Sequence, residues 1–290
     1  MSNKIRFLSL VLTLLICVGL GYVASRVGES SQFSGNFKKI SHAYPLSGYS
    51  KTGVLNLDVR FIAGELTMYP LNSDLNAIEF NALYKVREVR PLIRVESEKI
   101  SIQVRPSEKW GFSGRSFWNV GLNPSISHAV TIDAKTSKQI LNLSGIPIQS
   151  LMCQSGAGKL SLNFDQPNPI EMTYMHIVTK ASRCSIVGLM NARVKNCAII
   201  GTAGYYMLDF SGEQTTSCNL ILDGSISKAT LVFPPHLNAH IVLKDSMVNV
   251  TYKHLIKRSK VDFVTADFDP KKPLVTLHVQ VGVGSLDIQD

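Results

Sequence analysis

Paired histidines, scattered cysteines and a glycine-flanked lysine are the residues of this chain whose types and spacing could do chemistry. His236 and His240 are four apart. On an extended strand side chains alternate between faces, so that even spacing would put both rings on one face, where they could hold a metal ion. No Cys, Asp or Glu completes the set at a matching spacing, and exposed strand histidines are the plainer expectation. Gly158-Lys159 lies in a Gly-rich piece like the start of a phosphate-cradling loop. Cys153 stands where that loop needs its first Gly, and Leu160 where it needs Ser or Thr. His-Glu-x-x-His, Gly-x-Ser-x-Gly and Cys-x-x-Cys are all missing from the sequence. The reading is therefore a non-enzyme, with no catalytic residue, no metal and no cofactor. Cys153, Cys184, Cys197 and Cys218 follow the apolar N-terminus, and Cys17 lies within it. Cys184 and Cys197 could meet as a disulfide across neighbouring repeats outside the cytoplasm; small core residues are the competing reading.

Two features suit binding better than catalysis. Lys253, His254, Lys257, Arg258 and Lys260 are separated only by Leu255, Ile256 and Ser259. Lys253, Lys257, Arg258 and Lys260 are expected to contact an anionic surface, either an acidic partner or lipid headgroups, at about 1 kcal/mol per basic residue near a charged membrane. A solvated loop is the alternative. Residues 106–124 hold both tryptophans, two phenylalanines and three glycines. Trp110, Phe112, Phe117 and Trp118 are expected either to form a partner-binding tip or to cap the end of a core. The chain carries 30 Lys+Arg against 21 Asp+Glu, a net charge of +9. No module interleaving basic and aromatic residues accompanies that charge, so nucleic acid is not an expected partner.

The elements that would position these residues begin with a leader. Lys4 and Arg6 precede residues 7–24, which contain no charged residue, and Arg26 follows. This length just reaches the roughly 18 residues of a spanning helix. It exceeds the roughly 7–15 apolar residues of a cleavable signal. Residues 1–26 are thus an uncleaved signal-anchor or a signal peptide cut after Ser25. Either way residues 27–290 are extracytoplasmic, as the positive flank retained inside also implies. Residues 27–49 are expected to form a linker, 27–36 being rich in Ser and Gly. Beyond them alternation at period two is frequent, as in Val54-Leu55-Asn56-Leu57-Asp58-Val59, Ile100-Ser101-Ile102-Gln103-Val104 and Leu274-Val275-Thr276-Leu277-His278-Val279. These predict half-buried strands.

Repetition is the stronger signal. Thr136, Ala157, Ala181, Ala203, Ile226 and Asp245 centre small-residue turns 19–24 residues apart. Leu141-Asn142-Leu143, Leu162-Asn163-Phe164, Leu208-Asp209-Phe210 and Leu286-Asp287-Ile288 also share one pattern, whose Asn and Asp residues could stack as a polar ladder. A period near 22 residues without helices predicts a mainly β, solenoid-like stack of short strands behind one apolar N-terminal helix. Small residues at a corner let successive coils approach closely. An antiparallel sandwich with glycine turns is the competing fold; it would not keep so steady a period. Residues 50–125 form an N-terminal β region continuous with the solenoid, and residues 126–290 its repetitive part.

These pieces resemble the toast-rack domain family of bacterial envelope proteins, similar to the C-terminal domain of LiaF-like cell-envelope stress proteins. The likeness runs over residues 50–290. It is carried by Ala63-Gly64-Glu65-Leu66, Ser155-Gly156-Ala157-Gly158-Lys159-Leu160, Gly188-Leu189-Met190-Asn191-Ala192, Leu208-Asp209-Phe210-Ser211-Gly212 and Gly282-Val283-Gly284-Ser285-Leu286. Corner glycines are replaced in Lys180-Ala181-Ser182, Ser225-Ile226-Ser227 and Lys244-Asp245-Ser246. The resemblance implies a non-enzymatic envelope protein. It would be tethered to the inner membrane through residues 7–24 and would scaffold or bind other envelope proteins, with a part in stress signalling. A secreted or surface-displayed adhesin-like binding protein is the alternative.

Overall fold

The computed structural model describes residues 37–49, 53–85, 90–96, 98–104, 116–244, 247–253 and 255–289. The expected apolar helix at residues 7–24 lies outside them. Among the described residues sixteen strands join in one mixed sheet. In chain order the first six are β1 (Lys38–Pro45), β2 (Val54–Pro70), β3 (Asn76–Tyr84), β4 (Pro91–Glu96), β5 (Lys99–Val104) and β6 (Ser116–Leu122). The repetitive part supplies β7 (Ser127–Asn142), β8 (Ile148–Asn163), β9 (Met172–Val187), β10 (Val194–Asp209) and β11 (Cys218–Val232). The last five are β12 (Ala239–Leu243), β13 (Met247–Tyr252), β14 (Leu255–Lys257), β15 (Asp262–Thr265) and β16 (Val275–Gln289).

Each long strand turns a corner, and the side-chain pattern shows where. In β8, Leu151, Cys153 and Ser155 face inward, then Leu160 and Leu162 do. A period of two cannot bridge the odd step from 155 to 160 without a bend. The strands β2, β7, β8, β9, β10, β11 and β16 stack parallel and in register through this corner. Thr136, Ala157, Ala181, Ala203 and Ile226 occupy one rung, as their spacing predicts. Asp245 lies outside the described residues, and Val283 of β16 pairs with Ile226 instead.

The next rung shows why the corner needs small residues. It runs Ser116, Gly64, Ser137, Gly158, Ser182, Gly204, Ser227, Gly284, alternating Ser and Gly across eight strands. Each glycine sits over the backbone carbonyl of a rung serine, so that a Cβ there would overlap that oxygen. Gly64, Gly158 and Gly284 also hold φ of +129°, +135° and +150°, conformations that only glycine adopts freely. Two of the replacements in the resemblance, Ser182 and Ser227, are therefore half of the pattern rather than departures from it, while Ser246 lies outside the described residues.

Short return segments close each coil and bury Leu143, Phe164, Leu189, Phe210 and Phe233 against the core. Asn side chains, the buried Asn168 and the half-buried Asn191, stitch these returns together. Asn168 donates to the Ile148 and Ala192 carbonyls, and Asn191 donates to the Phe164 carbonyl. The expected Asn/Asp ladder is not how the repeated triplets bond: Asn142 and Asp209 accept N–H groups two residues on, from Ser144 and Ser211. These are local Asx turns.

Both ends of the stack are finished alike. β2 pairs with β5 along one half and with β6 along the other, and β16 pairs with β12 and β13 in the same way. Antiparallel strands lie outside them: β4 on β5, β3 on β6 and β1 on β3 at one end, β15 on β12 and β14 on β15 at the other. Two expectations are corrected here. Lys38–Pro45 is a strand and not part of a linker, and Leu255–Lys257 is a strand inside the basic segment for which a solvated loop was the alternative reading. Both are outer strands, which lack the strict alternation of a half-buried strand and are held by backbone pairing.

Candidate functional site

Directly after the Ser/Gly rung, each strand points one residue outward. Glu65, Lys138, Lys159, Arg183, Tyr205 and Lys228 are successive partners across β2 and β7 to β11. The four cations of this row are exposed and Tyr205 is half-buried. The Arg183 guanidinium lies 5.6 Å from the centre of the Tyr205 ring. Glu65 pairs with Lys138 at 3.2 Å at the row's edge. From the corner to the rung of Met207, β7 to β11 contain Lys135, Lys138, Lys159, Lys180, Arg183 and Lys228 and not one carboxylate. Sequence reasoning missed this row. Its signal was present, since a basic residue follows the small one in Ser137-Lys138, Gly158-Lys159, Ser182-Arg183 and Ser227-Lys228. Gly158-Lys159 is thus a corner followed by an outward cation; its glycine serves the bend and not a phosphate loop.

The expected basic cluster lies elsewhere, on and around the outermost strand at the C-terminal end: Lys257 is in β14, Lys253 precedes it, and Arg258 and Lys260 follow it. Lys253, Lys257, Arg258 and Lys260 are all exposed. Lys257 lies 5.9 Å over the Phe263 ring and Arg258 4.7 Å over that of Phe268. Among the described residues, β15 is the one strand that pairs with β14, so the other edge of β14 is open. Short lysine-bearing edges protect sheets from unwanted pairing. Ile256, 51% exposed at the middle of β14, runs against protection alone, and Val261 in the turn between β14 and β15 is also exposed.

The aromatic segment divides. Trp110 and Phe112 lie outside the described residues. Trp118 is a correction: it is 1% exposed, packed between Phe61 and Phe80 with ring centres 5.2 and 5.4 Å away, so it caps the core and is not open to a partner. Its place in β6, opposite Leu66 and Ala82, turns it inward. Phe117, next along the strand, turns the other way and meets Phe37 edge-on at 6.0 Å.

The histidine and cysteine readings resolve into packing. His236 sits in a turn before β12, so it does not share a strand face with His240, whose Nε2 is 3.0 Å from Asp262. No cluster of three His, Cys, Asp or Glu occurs among the described residues. Cys184 stands opposite Tyr206 and Cys197 opposite Met175, so these two cysteines do not pair. All four described cysteines are buried free thiols. Burial pushes Cys184 and Cys218 up to about 12, which makes them poor nucleophiles. The inner face does hold one polar thread. Gln139 donates to Ser137 and Ser155, and the Tyr206 hydroxyl lies 2.8 Å from that of Thr179 over the space that Gly201 leaves.

Among the described residues, no helix is long and apolar enough to cross a membrane.

Set against known proteins, residues 29–173 match the family model for the N-terminal domain of toast_rack, DUF2154. No curated protein matches the chain. Among solved structures the chain is similar to a protein from Clostridium sporogenes ATCC 15579, provisionally described as a cell adhesion protein. That likeness has a TM-score of 0.51 at 15% identity and covers 88% of this chain and 99% of the other. A Bacteroides fragilis NCTC 9343 protein, provisionally described as an adhesin, follows at TM-score 0.38 and 11% identity, over 89% and 100% of the two chains. A Parabacteroides distasonis ATCC 8503 protein, provisionally described as lipid-binding, gives 0.33 and 10%, over 87% and 97%. At these identities the first likeness concerns the fold alone.

Proposed function

Since the chain belongs to the toast-rack family by the match over its N-terminal half, we propose that it is a non-enzymatic protein of the bacterial envelope that binds or scaffolds other envelope proteins. In this reading it is held at the inner membrane by residues 7–24 and takes part in envelope stress signalling. The observation that carries the reading is the open edge of β14. An extended segment of a partner adds to such an edge by backbone hydrogen bonds, while neighbouring side chains select it. Ile256 supplies an apolar contact and Lys253, Lys257, Arg258 and Lys260 favour an acidic partner. Trp110, Phe112 and Phe117 remain a second proposed contact; of these, Phe117 lies on β6, toward the other end of the stack.

The test is crosslinking in intact cells, then capture from the membrane fraction, with the native chain, Lys257→Pro and Lys257→Glu/Arg258→Glu. The hydrogen-bonded Arg258–Asp262 pair turns the N–H of Ile256 to β15 and that of Lys257 to the open edge, so proline at 257 removes a donor that edge pairing needs, and reversal of charge repels an acidic partner. A defined envelope protein captured by the native chain and lost in both variants is the expected result. Capture that is unchanged in both variants moves the contact off β14. Recovery of the chain shed from cells, with a mature N-terminus at Arg26, would replace the tethered scaffold by a released adhesin-like protein.

A further inference from the structure

We propose that the outward row Lys138, Lys159, Arg183 and Lys228 is a binding track for a linear polyanion laid along the stack axis, across the coils. It stands on residues apart from the β14 edge, and either reading can fail without the other.

Parallel strands lie about 4.8 Å apart, so the four steps from Lys138 to Lys228 span about 19 Å. Like charges directly opposite on neighbouring strands destabilise a sheet. Here three cations are consecutive, and Tyr205 alone separates the third from the fourth. Their Cα positions are held by the buried Ser/Gly corner one residue earlier, so the row cannot spread by shifting its strands. Glu65 neutralises only its first member. Lys135 and Lys180 reinforce the row on the corner side. A chain of anionic groups spaced by a few ångströms relieves this repulsion rung by rung.

The shape of the charge distribution selects a chain over a flat surface. On the side away from the corner the next rung across β7 to β11 is Ile140, Ser161, Ser185, Met207 and the buried Thr230, all uncharged, with Asp287 of β16 following Thr230. The positive potential is therefore a line one or two residues wide. Tyr205, with Arg183 over its ring, offers a flat face midway along it for the uncharged linking groups of a polymer.

The experiment titrates the full chain with long-chain polyphosphate, with tripolyphosphate, and with phosphatidylglycerol/phosphatidylcholine vesicles, each at several salt concentrations. The variants are Lys159→Gln/Arg183→Gln on the row and Lys271→Gln/Lys272→Gln at the C-terminal cap, in the turn between β15 and β16. All four positions are exposed, and unchanged thermal unfolding confirms that each variant is folded. Long-chain polyphosphate is expected to bind at least tenfold more tightly than tripolyphosphate. The row variant should weaken it roughly tenfold and reduce the slope of log K against log salt by roughly 1.4, at about 0.7 per charge removed. The cap variant should leave both nearly unchanged. Equal affinity for the short and long anions, or equal losses in the two variants, overturns the track. Vesicle binding that depends on the row while polymer binding does not assigns the surface to a membrane instead.

Discussion

His128 shows how a single buried side chain links this fold to pH. The ring is fully buried, its Nε2–H donates to the Asn123 carbonyl at 2.8 Å, and Nδ1 has no protein partner. Burial holds its pKa down to about 4, the Asn123 hydrogen bond opposing in part. An unfolded chain protonates the same ring near 6.5. Between those values the unfolded state binds more protons, so stability is complete above pH 6.5 and is lost as pH falls toward 4. At 1.36 kcal/mol per pKa unit the loss is about 3 kcal/mol. Denaturant unfolding of the native chain and His128→Gln between pH 4 and 7 checks this. The variant should lack that part of the slope; parallel curves for the two would exclude His128 as its source.

At the scale of the element, the corner determines whether a strand can stack. Gly158 has φ +135° and its Cβ position coincides with the Ser137 carbonyl. Gly158→Ala is therefore expected to cost more than about 1 kcal/mol, since alanine tolerates neither that φ nor the contact. Gly48 is the control: no heavy atom lies within 4 Å of its Cβ position, and Gly48→Ala should change stability little. Urea midpoints at constant m-value measure both. Equal effects at the two sites would remove the steric account of the alternating rung. The same corner projects Lys138, Lys159, Arg183 and Lys228 to one side, so a binding row follows from a packing requirement.

For the whole molecule, the order of strands matters more than their number. β16, last in the chain, inserts between β11 and the β12–β13 pair. The stack is therefore complete only when the C-terminal strand arrives, and β12 to β15 join the rest of the sheet through it. A chain ending at Pro273 is expected to leave the β11 edge open and β12–β15 detached, and so to aggregate. Sedimentation and hydrogen exchange test this: a monomeric truncated chain with native protection in β12 and β15 would refute the dependence.

Composition, alternation and the spacing of small residues were enough to establish a β stack and the corner register of Thr136, Ala157, Ala181, Ala203 and Ile226, while the family resemblance rested on particular pieces such as Leu208-Asp209-Phe210-Ser211-Gly212. Those signals are local, because a corner admits only small residues and a half-buried strand must alternate. The strands at Lys38–Pro45 and Leu255–Lys257 were not legible, since outer strands are defined by a neighbour's backbone rather than by their own side chains. Trp118 could equally have capped a core or formed a tip until Phe61 and Phe80 enclosed it. The insertion of β16 was decided by tertiary structure alone, and the small–basic pairs written in the sequence became a row of cations only when their strands stacked in register. Each depends on which distant residues become neighbours, and pairing between segments far apart in sequence leaves no mark on either segment by itself.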